Sequence, residues 1–282
     1  MKKGKILVGY LTYITDENSV RRFDNFQKSL KALELFGSDV CDILLVDNNS
    51  NTETVDILRN SDIFKYRIFY KKNFIDSGHL FTTATIAKRE GYEYMLYMYD
   101  DFIVTRRDVL EDCVSFLDNY KDLNSLRIPE YSVENQQYFD TQFTPKSENP
   151  DSVRHYNSVT KQGLKWFGPA KINNNKFYVN NWHYTSRPTL WRTDAFLKLF
   201  DDLEEIPVMQ NFERYAGNKL IDEFVGVLDN GIMKTVKQSE RTHLTMKLNN
   251  SIADTETPPI KKKEISDQLE NLLKNWSSNE KH

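Results

Sequence analysis

The chain has 282 residues, of which 39% are hydrophobic and 28% charged, a balance typical of a folded globular protein. Its formal net charge of −3 excludes a strong electrostatic attraction to nucleic acid or to anionic lipid. The two cysteines, Cys41 and Cys113, have neither metal-binding nor redox spacing, so we expect a reducing compartment and a cytoplasmic location.

The first part of the chain alternates predicted strands with predicted helices. Residues 1–14 resemble a signal peptide, but their apolar run is short and has no small-residue cleavage site, so we interpret 5–13 as the first strand. Further strands are predicted at 43–46, 66–71 and 94–99. Helices follow each of them, with predicted caps at Ser50 with Glu53, at Asp76 or Ser77, and at Thr105 with Asp108. This alternation predicts an α/β fold with a mostly parallel central sheet and helices on both faces.

The second part has a looser pattern. Strands are predicted at 126–131, 176–179 and 231–236, and helices at 193–200 and 211–224. Residues 131–169 form a long polar and aromatic segment, and loops of that length are usually functional or disordered. After Pro258 and Pro259 an amphipathic helix is predicted at 261–276; its apolar stripe favours packing within the chain, with an oligomer contact as the alternative. No stretch reaches the length of a transmembrane helix.

The most informative stretch is the predicted strand at 94–99 and the acidic pair that follows it. A continuous apolar run of this length is typical of a strand buried on both faces of a parallel sheet. Asp100 and Asp101 then fall at its carboxyl end, where open α/β sheets bind ligands. Adjacent carboxylates repel unless a cation or donors neutralise them, and a hard divalent ion such as Mg²⁺ or Mn²⁺ would do so. The alternative is a solvated turn after a core strand.

Polar side chains also follow the other predicted strands, at Thr12 and Tyr13, at Asp47 and Asn48, and at Asn73. Because the carboxyl ends of parallel strands meet at one edge, we expect these groups to share a site. The sequence contains no GxxxxGK[ST] phosphate loop and no GxGxxG dinucleotide fingerprint. An aspartyl-nucleophile phosphatase is excluded because Thr12 and Tyr13, and no aspartate, follow the first strand.

Three segments resemble the nucleotide-sugar glycosyltransferases of the GT-A fold, in particular the family 2 group. They are ILLVDNNS (43–50), KNFIDSGHLFTTATIAKREGYEYMLYMYDDFIV (72–104) and RTHL (241–244). The resemblance implies a Rossmann-like GT-A domain at 1–250, with a nucleotide-binding half at 1–125 and an acceptor-binding half at 126–250. Residues 251–282 would form a C-terminal helical extension.

The resemblance also implies residue roles. Thr12, Tyr13 and Asp47 would bind the base of a nucleotide diphosphate sugar, most simply a UDP-sugar, and Asp100 would lie near the ribose or sugar. Asp101 and His243 would hold Mn²⁺ or Mg²⁺, and Glu213 would be the catalytic base of an inverting transfer to a glycan acceptor. The remaining donor-site candidates are Asn48, Asn73 and Gly78.

The chain departs from the family pattern at three places, one of which is an incomplete acidic pair near Glu213. Tyr99 stands at the first acidic position of the cluster, and Thr82, Thr83, Ala84 and Thr85 replace the usual Arg-Asn in the helix after Gly78. Glu213 also competes as base with other acidic side chains, namely Asp222, Glu223, Glu204 and Glu205. These departures leave open a carbohydrate-binding or scaffold protein with a decayed active site.

Several candidates have simpler interpretations. Asp47 could cap a turn, His243 could be a surface histidine, and Glu213 could be a solvated helix carboxylate. Trp182, His183 and Tyr184 could be core aromatics, although their polar neighbours favour a sugar-facing wall. A sugar-nucleotide nucleotidylyltransferase is a further alternative, but it would need a glycine-rich basic loop after the first strand, which the sequence lacks.

Overall fold

The computed structural model describes residues 6–36, 41–106, 109–128, 166–181, 188–231, 233–235 and 258–279. Strands and helices alternate through the first part of the chain, as predicted. They are β1 (Ile6–Thr12), α1 (Asp16–Leu33), β2 (Asp42–Asp47), α2 (Thr52–Arg59), β3 (Tyr66–Phe69), α3 (Ile75–Arg89), β4 (Tyr94–Tyr99), β5 (Phe102–Val104) and α4 (Leu110–Asn119).

The second part contains shorter elements. They are β6 (Ser125–Arg127), β7 (Trp166–Ile172), β8 (Asn175–Asn180), β9 (Thr189–Arg192), α5 (Thr193–Leu197) with a 3₁₀ turn (Lys198–Phe200), β10 (Glu205–Ile206), α6 (Met209–Lys219), β11 (Val225–Leu228), β12 (Met233–Thr235), β13 (Ile260–Lys261) and α7 (Lys262–Asn279). Strands β9 and β11 were not predicted, and β7 occupies the end of the segment predicted as a loop. The helix predicted at 211–224 ends at Lys219, because the chain turns there to enter β11.

One nine-stranded sheet organises the molecule, in the order β3-β2-β1-β4-β9-β6-β11-β8-β7. The first four strands are parallel, whereas β9 runs antiparallel between β4 and β6. Strands β6 and β11 are parallel to each other, and β8 and β7 continue antiparallel to the sheet edge. The sheet is therefore parallel in its first half and mixed in its second.

Apolar side chains cover both faces of this sheet. Alternate residues of β1 and β4 point to opposite faces, so that Val8 and Leu96 join one core cluster while Leu7 and Met95 join the other. The first cluster includes apolar residues of α1, α2 and α4, and the second includes those of α3, α5, α6 and α7. This layering confirms the predicted α/β architecture with helices on both faces.

The predicted helix caps differ from the observed ones. Helix α2 is capped by Asn51, whose side chain accepts from the Thr54 N–H at 3.1 Å, and Ser50 is not its cap. Helix α3 begins at Ile75, one residue before the predicted Asp76. Helix α4 begins at Leu110 after Val109, so the predicted cap at Thr105 is wrong. Two of the predicted caps are used elsewhere, because Ser50 Oγ accepts from the Ile14 N–H and Ser77 Oγ donates to the Pro207 carbonyl.

The C-terminal helix α7 packs against the central layer of the same chain. Its apolar stripe is buried through Ile265, Leu269 and Leu273, which belong to the α3 core cluster. Lys72 and Glu264 form a surface ion pair beside it at 2.8 Å. Oligomerisation through this helix stays a prediction, and the predicted domain boundary at residue 250 lies outside the described residues. Among the described residues, no helix combines the length and the apolarity that crossing a membrane requires.

Candidate functional site

The carboxyl ends of the parallel strands lie side by side at one edge of the sheet, which we call the carboxyl edge. Thr12 at the end of β1 is in register with Asp47 at the end of β2, and Leu11 is in register with Tyr99 at the end of β4. Asp47 is also in register with Phe69, the last residue of β3. The predicted convergence of strand ends is therefore observed for these strands.

Asp47 has one carboxylate oxygen committed to the turn after β2 and one without a partner. Its Oδ2 accepts from the Ser50 N–H at 3.1 Å, whereas Oδ1 is buried and makes no hydrogen bond. Burial raises the pKa of Asp47, and the hydrogen bonds from Ser50 and Asn49 oppose that rise. The side chain thus caps a turn, as one interpretation expected, and it retains a free acceptor; its predicted contact with a ligand stays a prediction.

Thr12 places a second unpartnered polar atom beside Asp47. Its side chain is fully buried and its Oγ1 makes no hydrogen bond. Since residues in register on neighbouring parallel strands point to the same face, the two unpartnered atoms lie on one side of the sheet edge. A buried polar group without a partner costs about 1–3 kcal/mol, so this pair suits a ligand that donates hydrogen bonds.

Arg22 of α1 holds Asp100, and sequence reasoning missed it. Its Nη2 forms an ion pair with Asp100 Oδ1, while Asp100 Oδ2 accepts from the Tyr13 N–H at 3.4 Å. Burial raises the pKa of Asp100, and the Arg22 guanidinium opposes that rise. The neutralising cation expected beside the acidic pair is therefore, for Asp100, a side chain of the protein. No local sequence signal pairs this guanidinium with Asp100, because the two residues are 78 positions apart in the chain.

Asp101 and Glu213 both contribute negative charge around the buried phenol of Tyr99. Burial raises the pKa of Tyr99, and the negative charges of Asp76, Glu213 and Asp101 raise it further. The Tyr99 hydroxyl itself is buried without a hydrogen-bond partner. Glu213 of α6 and Asp101 after β4 therefore both lie near enough to Tyr99 to act on its phenol, although they are far apart in sequence.

The two predicted asparagines shape the start of α3. Asn48 Nδ2 donates to the Ile75 carbonyl at 3.1 Å, and its Oδ1 accepts from the Phe74 N–H at 3.4 Å. Asn73 Oδ1 accepts from the Ile75 N–H at 2.7 Å, at a residue with a φ of 53°. These contacts assign both side chains a role in the backbone turn, and their predicted contact with a donor stays a prediction.

Gly78 has a packing role that the sequence did not reveal. A Cβ at this position would lie 2.9 Å from the Cβ of Phe74 and 3.2 Å from Cδ1 of Ile265 in α7. The glycine thus lets α7 approach α3 closely, and its predicted role in donor binding stays a prediction. His79 beside it is buried, its pKa is lowered by burial to about 3, and its Nε2 has no partner.

The predicted metal site at Asp101 and His243 stays a prediction. Within the described ranges, no three His, Cys, Asp or Glu side chains are grouped to hold an ion. Predicted ligand His243 and the aromatic residues Trp182, His183 and Tyr184 lie outside the described residues. A Mg²⁺ or Mn²⁺ ion bound largely by substrate phosphates needs only one or two carboxylates, so the half-buried Asp101 fits such an ion.

The model of the family described as "Glycosyl transferase family 2" matches residues 19–200. No curated protein matches the chain. Among solved structures, S. aureus TarS 1-349 is similar at 16% identity and a TM-score of 0.48, covering 81% of this chain and 59% of that one. The mannosyltransferase PcManGT from Pyrobaculum calidifontis, in complex with GDP-Man and Mn²⁺, is similar at 12% identity and a TM-score of 0.48, covering 92% and 67%. The chain thus spans about three fifths of TarS 1-349.

Proposed function

The chain belongs to glycosyl transferase family 2, and on that premise we propose that it moves a sugar from a nucleotide diphosphate sugar to a hydroxyl of a glycan acceptor. The donor binds at the carboxyl edge, between the ends of β1, β2 and β4. The two cysteines of the protein, Cys41 and Cys113, are both unpaired and buried, which supports a reducing compartment such as the cytoplasm.

The observation that carries this proposal is the pair of unpartnered polar atoms at the carboxyl edge. Asp47 Oδ1 can accept an N–H of the nucleobase, and Thr12 Oγ1 can donate to or accept from the same ring. The imide N–H of uracil is such a donor, so we propose UDP as the nucleotide. Tyr13, which follows Thr12 directly, then flanks the base.

Asp100 and Asp101 have different roles in this proposal. Asp100, held by Arg22 and by the Tyr13 N–H, faces the ribose or sugar. Asp101 and His243 hold Mn²⁺ or Mg²⁺ together with the diphosphate. When bound, such an ion neutralises the negative charge that develops on the leaving diphosphate.

Glu213 is the proposed base. The acceptor oxygen forms a bond to the anomeric carbon, the bond from that carbon to the diphosphate oxygen breaks, and Glu213 takes the hydroxyl proton. A one-step displacement of this kind inverts the anomeric configuration. General-base assistance typically contributes about 10²–10⁴-fold to the rate. The support for this role is the shared electrostatic neighbourhood of Glu213 and Asp101 around Tyr99.

Calorimetric titration of UDP and of uridine, each with and without Mn²⁺, tests the proposal. Asp47→Ala should weaken both ligands about 10–100-fold, because it removes a charged hydrogen-bond acceptor from the base. Asp101→Ala should weaken only UDP, and only when Mn²⁺ is present. The control is Asp56→Ala, since Asp56 is 61% exposed on α2.

If neither Asp47→Ala nor Asp101→Ala changes the affinity for UDP, the proposed site is refuted. A parallel titration with GDP, ADP and CDP decides the base. If no nucleotide binds, the assignment of the carboxyl edge to a donor is wrong.

A second candidate is a carbohydrate-binding protein whose active site has decayed. It is favoured by Tyr99 at the first acidic position and by the ion pair that occupies Asp100. Such a protein would bind glycans without regard to Mn²⁺ and would show no affinity for UDP, so the same titrations separate the two functions.

A further inference from the structure

A cleft opens at the opposite edge of the sheet from the carboxyl edge. Strand β6 runs in the same direction as β4, because both are antiparallel to β9, and β11 is parallel to β6. The segments that enter β6 and β11 therefore lie at the amino ends of the parallel strands, which we call the amino edge of the sheet. Together with the β7–β8 hairpin they line a cleft of about 700 Å³, which we call the amino-edge cleft.

The amino-edge cleft gathers most of the exposed large apolar side chains. Where side chains are described, four large hydrophobic residues are more than a third exposed, and three of them, Tyr120, Phe167 and Phe224, line this cleft at 39% to 52% exposure. The fourth, Leu35, lies elsewhere. Exposed apolar groups that cluster instead of scattering mark a binding surface.

Contacts with other aromatic rings fix the positions of Tyr120, Phe167 and Phe224. The Tyr120 ring packs on buried Phe116 with centroids 4.7 Å apart, and Phe116 stacks in turn on Phe177. Phe167 and Phe224 form an edge-to-face pair at 5.8 Å. The rings thus present a fixed apolar platform, which lowers the entropy that a ligand must overcome to bind.

Hydrogen-bond acceptors surround this platform. The lining contains the carboxylates of Asp122, Asp222 and Glu223 against the single ammonium of Lys121, which already pairs with Asp118 at 3.2 Å. The carboxyl end of α4 adds the negative end of a helix dipole. Anionic ligands are therefore disfavoured, and a ligand rich in hydroxyl donors is favoured.

We propose that the amino-edge cleft binds an uncharged oligosaccharide, as a distal anchor for the acceptor glycan. A sugar ring has one face of C–H groups that packs on aromatic rings and a rim of hydroxyls that donate to carboxylates. This occupant rests on the proposed function, which requires a glycan acceptor. The cleft lies about four strand spacings, roughly 19 Å, from β1 across the sheet and about one strand length, roughly 20 Å, away along the strands, so only a glycan long enough to pass around the sheet can contact both sites.

The test uses the full chain and three hexasaccharides as probes, namely maltohexaose, cellohexaose and chitohexaose, titrated by calorimetry. At least one should bind, and saturating UDP should leave its affinity unchanged. Tyr120→Ala and Phe224→Ala should each weaken that binding about tenfold, while Tyr120→Phe, which keeps the ring, should retain it. Leu35→Ala is the matched control and should change nothing.

Unfolding midpoints of the variants, measured in the same buffer, show that a loss of binding is not a loss of fold. The proposal is overturned if no hexasaccharide binds, or if binding is insensitive to the two aromatic substitutions. It is equally overturned if hexalysine binds through the same rings while the sugars do not, since the partner would then be a basic peptide. UDP affinity that persists in Tyr120→Ala keeps this outcome separate from the donor site.

Discussion

The two halves of the central sheet differ in how they present functional groups. In the parallel half, polar side chains at the strand ends are buried and held by specific bonds, as Asp100 is by Arg22. In the mixed half, the amino-edge cleft presents exposed aromatic rings on a packed layer. The difference separates a buried, charged site from an exposed, aromatic contact surface.

The physical reason lies in the strand directions. Parallel strands each deliver the chain to the same edge, so every strand-to-helix turn adds a group to one site. Antiparallel strands deliver alternate turns to opposite edges, so the mixed half spreads its functional groups over both. The contrast predicts that substitutions in the parallel half disturb stability more than matched ones in the mixed half.

The largest effect is expected from the ion pair. Arg22→Ala leaves the carboxylate of Asp100, which is 2% exposed, without its cation, and the free energy of unfolding should fall by about 3 kcal/mol. In the mixed half, Asn175 Nδ2 donates to Oδ2 of buried Asp112 at 2.7 Å. Asn175→Ala removes this donor and should lower the free energy of unfolding by about 1.5 kcal/mol. Urea denaturation of both variants measures the difference.

The double variant Arg22→Ala with Asp100→Asn serves as the control for the ion pair. It should recover much of the lost stability, since no uncompensated charge then remains buried. An Arg22→Ala variant as stable as the wild type would show that water neutralises Asp100 and that the site is not preorganised by charge.

A pair of glycines gives the next effect. A Cβ on Gly9 of β1 would lie 2.2 Å from Oγ1 and 2.9 Å from Cβ of Thr83, a stiff β-branched residue buried in α3. A Cβ on Gly226 of β11 would lie 2.7 Å from Leu126 Cδ1 and from the Phe116 ring edge. Gly9→Ala should therefore cost about 3 kcal/mol and Gly226→Ala about 2 kcal/mol in urea unfolding, because the end of the Leu126 side chain can move although the buried Phe116 ring cannot.

Adding Thr83→Ala to Gly9→Ala should return part of the stability, since two of the three closest atoms are then gone. Equal losses at the two glycines would contradict the difference drawn between the halves.

Near pH 6 the smallest effect is a pH dependence from His79 beneath the parallel half, and it grows as the pH falls further. Burial lowers its pKa to about 3, whereas an unfolded histidine titrates near 6.5. Between these pH values the unfolded state binds a proton at His79 and the folded state does not. The contribution of His79 to the free energy of unfolding is therefore fully present above pH 6.5 and is lost as the pH falls towards 3. The loss should be roughly 1.4 kcal/mol per pH unit.

Measuring urea unfolding from pH 7.5 to 5 for the wild type and His79→Gln isolates the pH-dependent contribution of His79 to the free energy of unfolding. The difference between the two proteins should shrink steadily below pH 6.5, because the variant has no imidazole to protonate. Parallel curves would show that the buried imidazole is protonated in the folded state as well.

Much of the parallel half could be predicted from sequence, because each strand and its polar end are adjacent in the chain. Thr12, Asp47 and Asp100 were found this way, and the structure places them at one edge. Arg22 was not found, since nothing local to α1 shows which carboxylate its guanidinium will meet. The cap at Asn51 was missed because Ser50 satisfies the local pattern equally well, and only its bond to the Ile14 N–H reveals its use.

The mixed half was predicted less well. Strands β9 and β11 are each four residues long, too short for a periodicity to separate them from loop or helix. Their places in the sheet depend on pairing with strands distant in sequence. The amino-edge cleft had no sequence signal at all, because its rings come from three separate segments.

By itself the sequence determined the alternation of strands and helices, the family, and the polar groups that end the parallel strands, since all of these are set by residues adjacent in the chain. The tertiary structure alone decided which charge neutralises Asp100, which atoms at the carboxyl edge lack a partner, and where the exposed rings gather. Those outcomes depend on burial and on contacts between distant segments, and neither exists until the chain has packed.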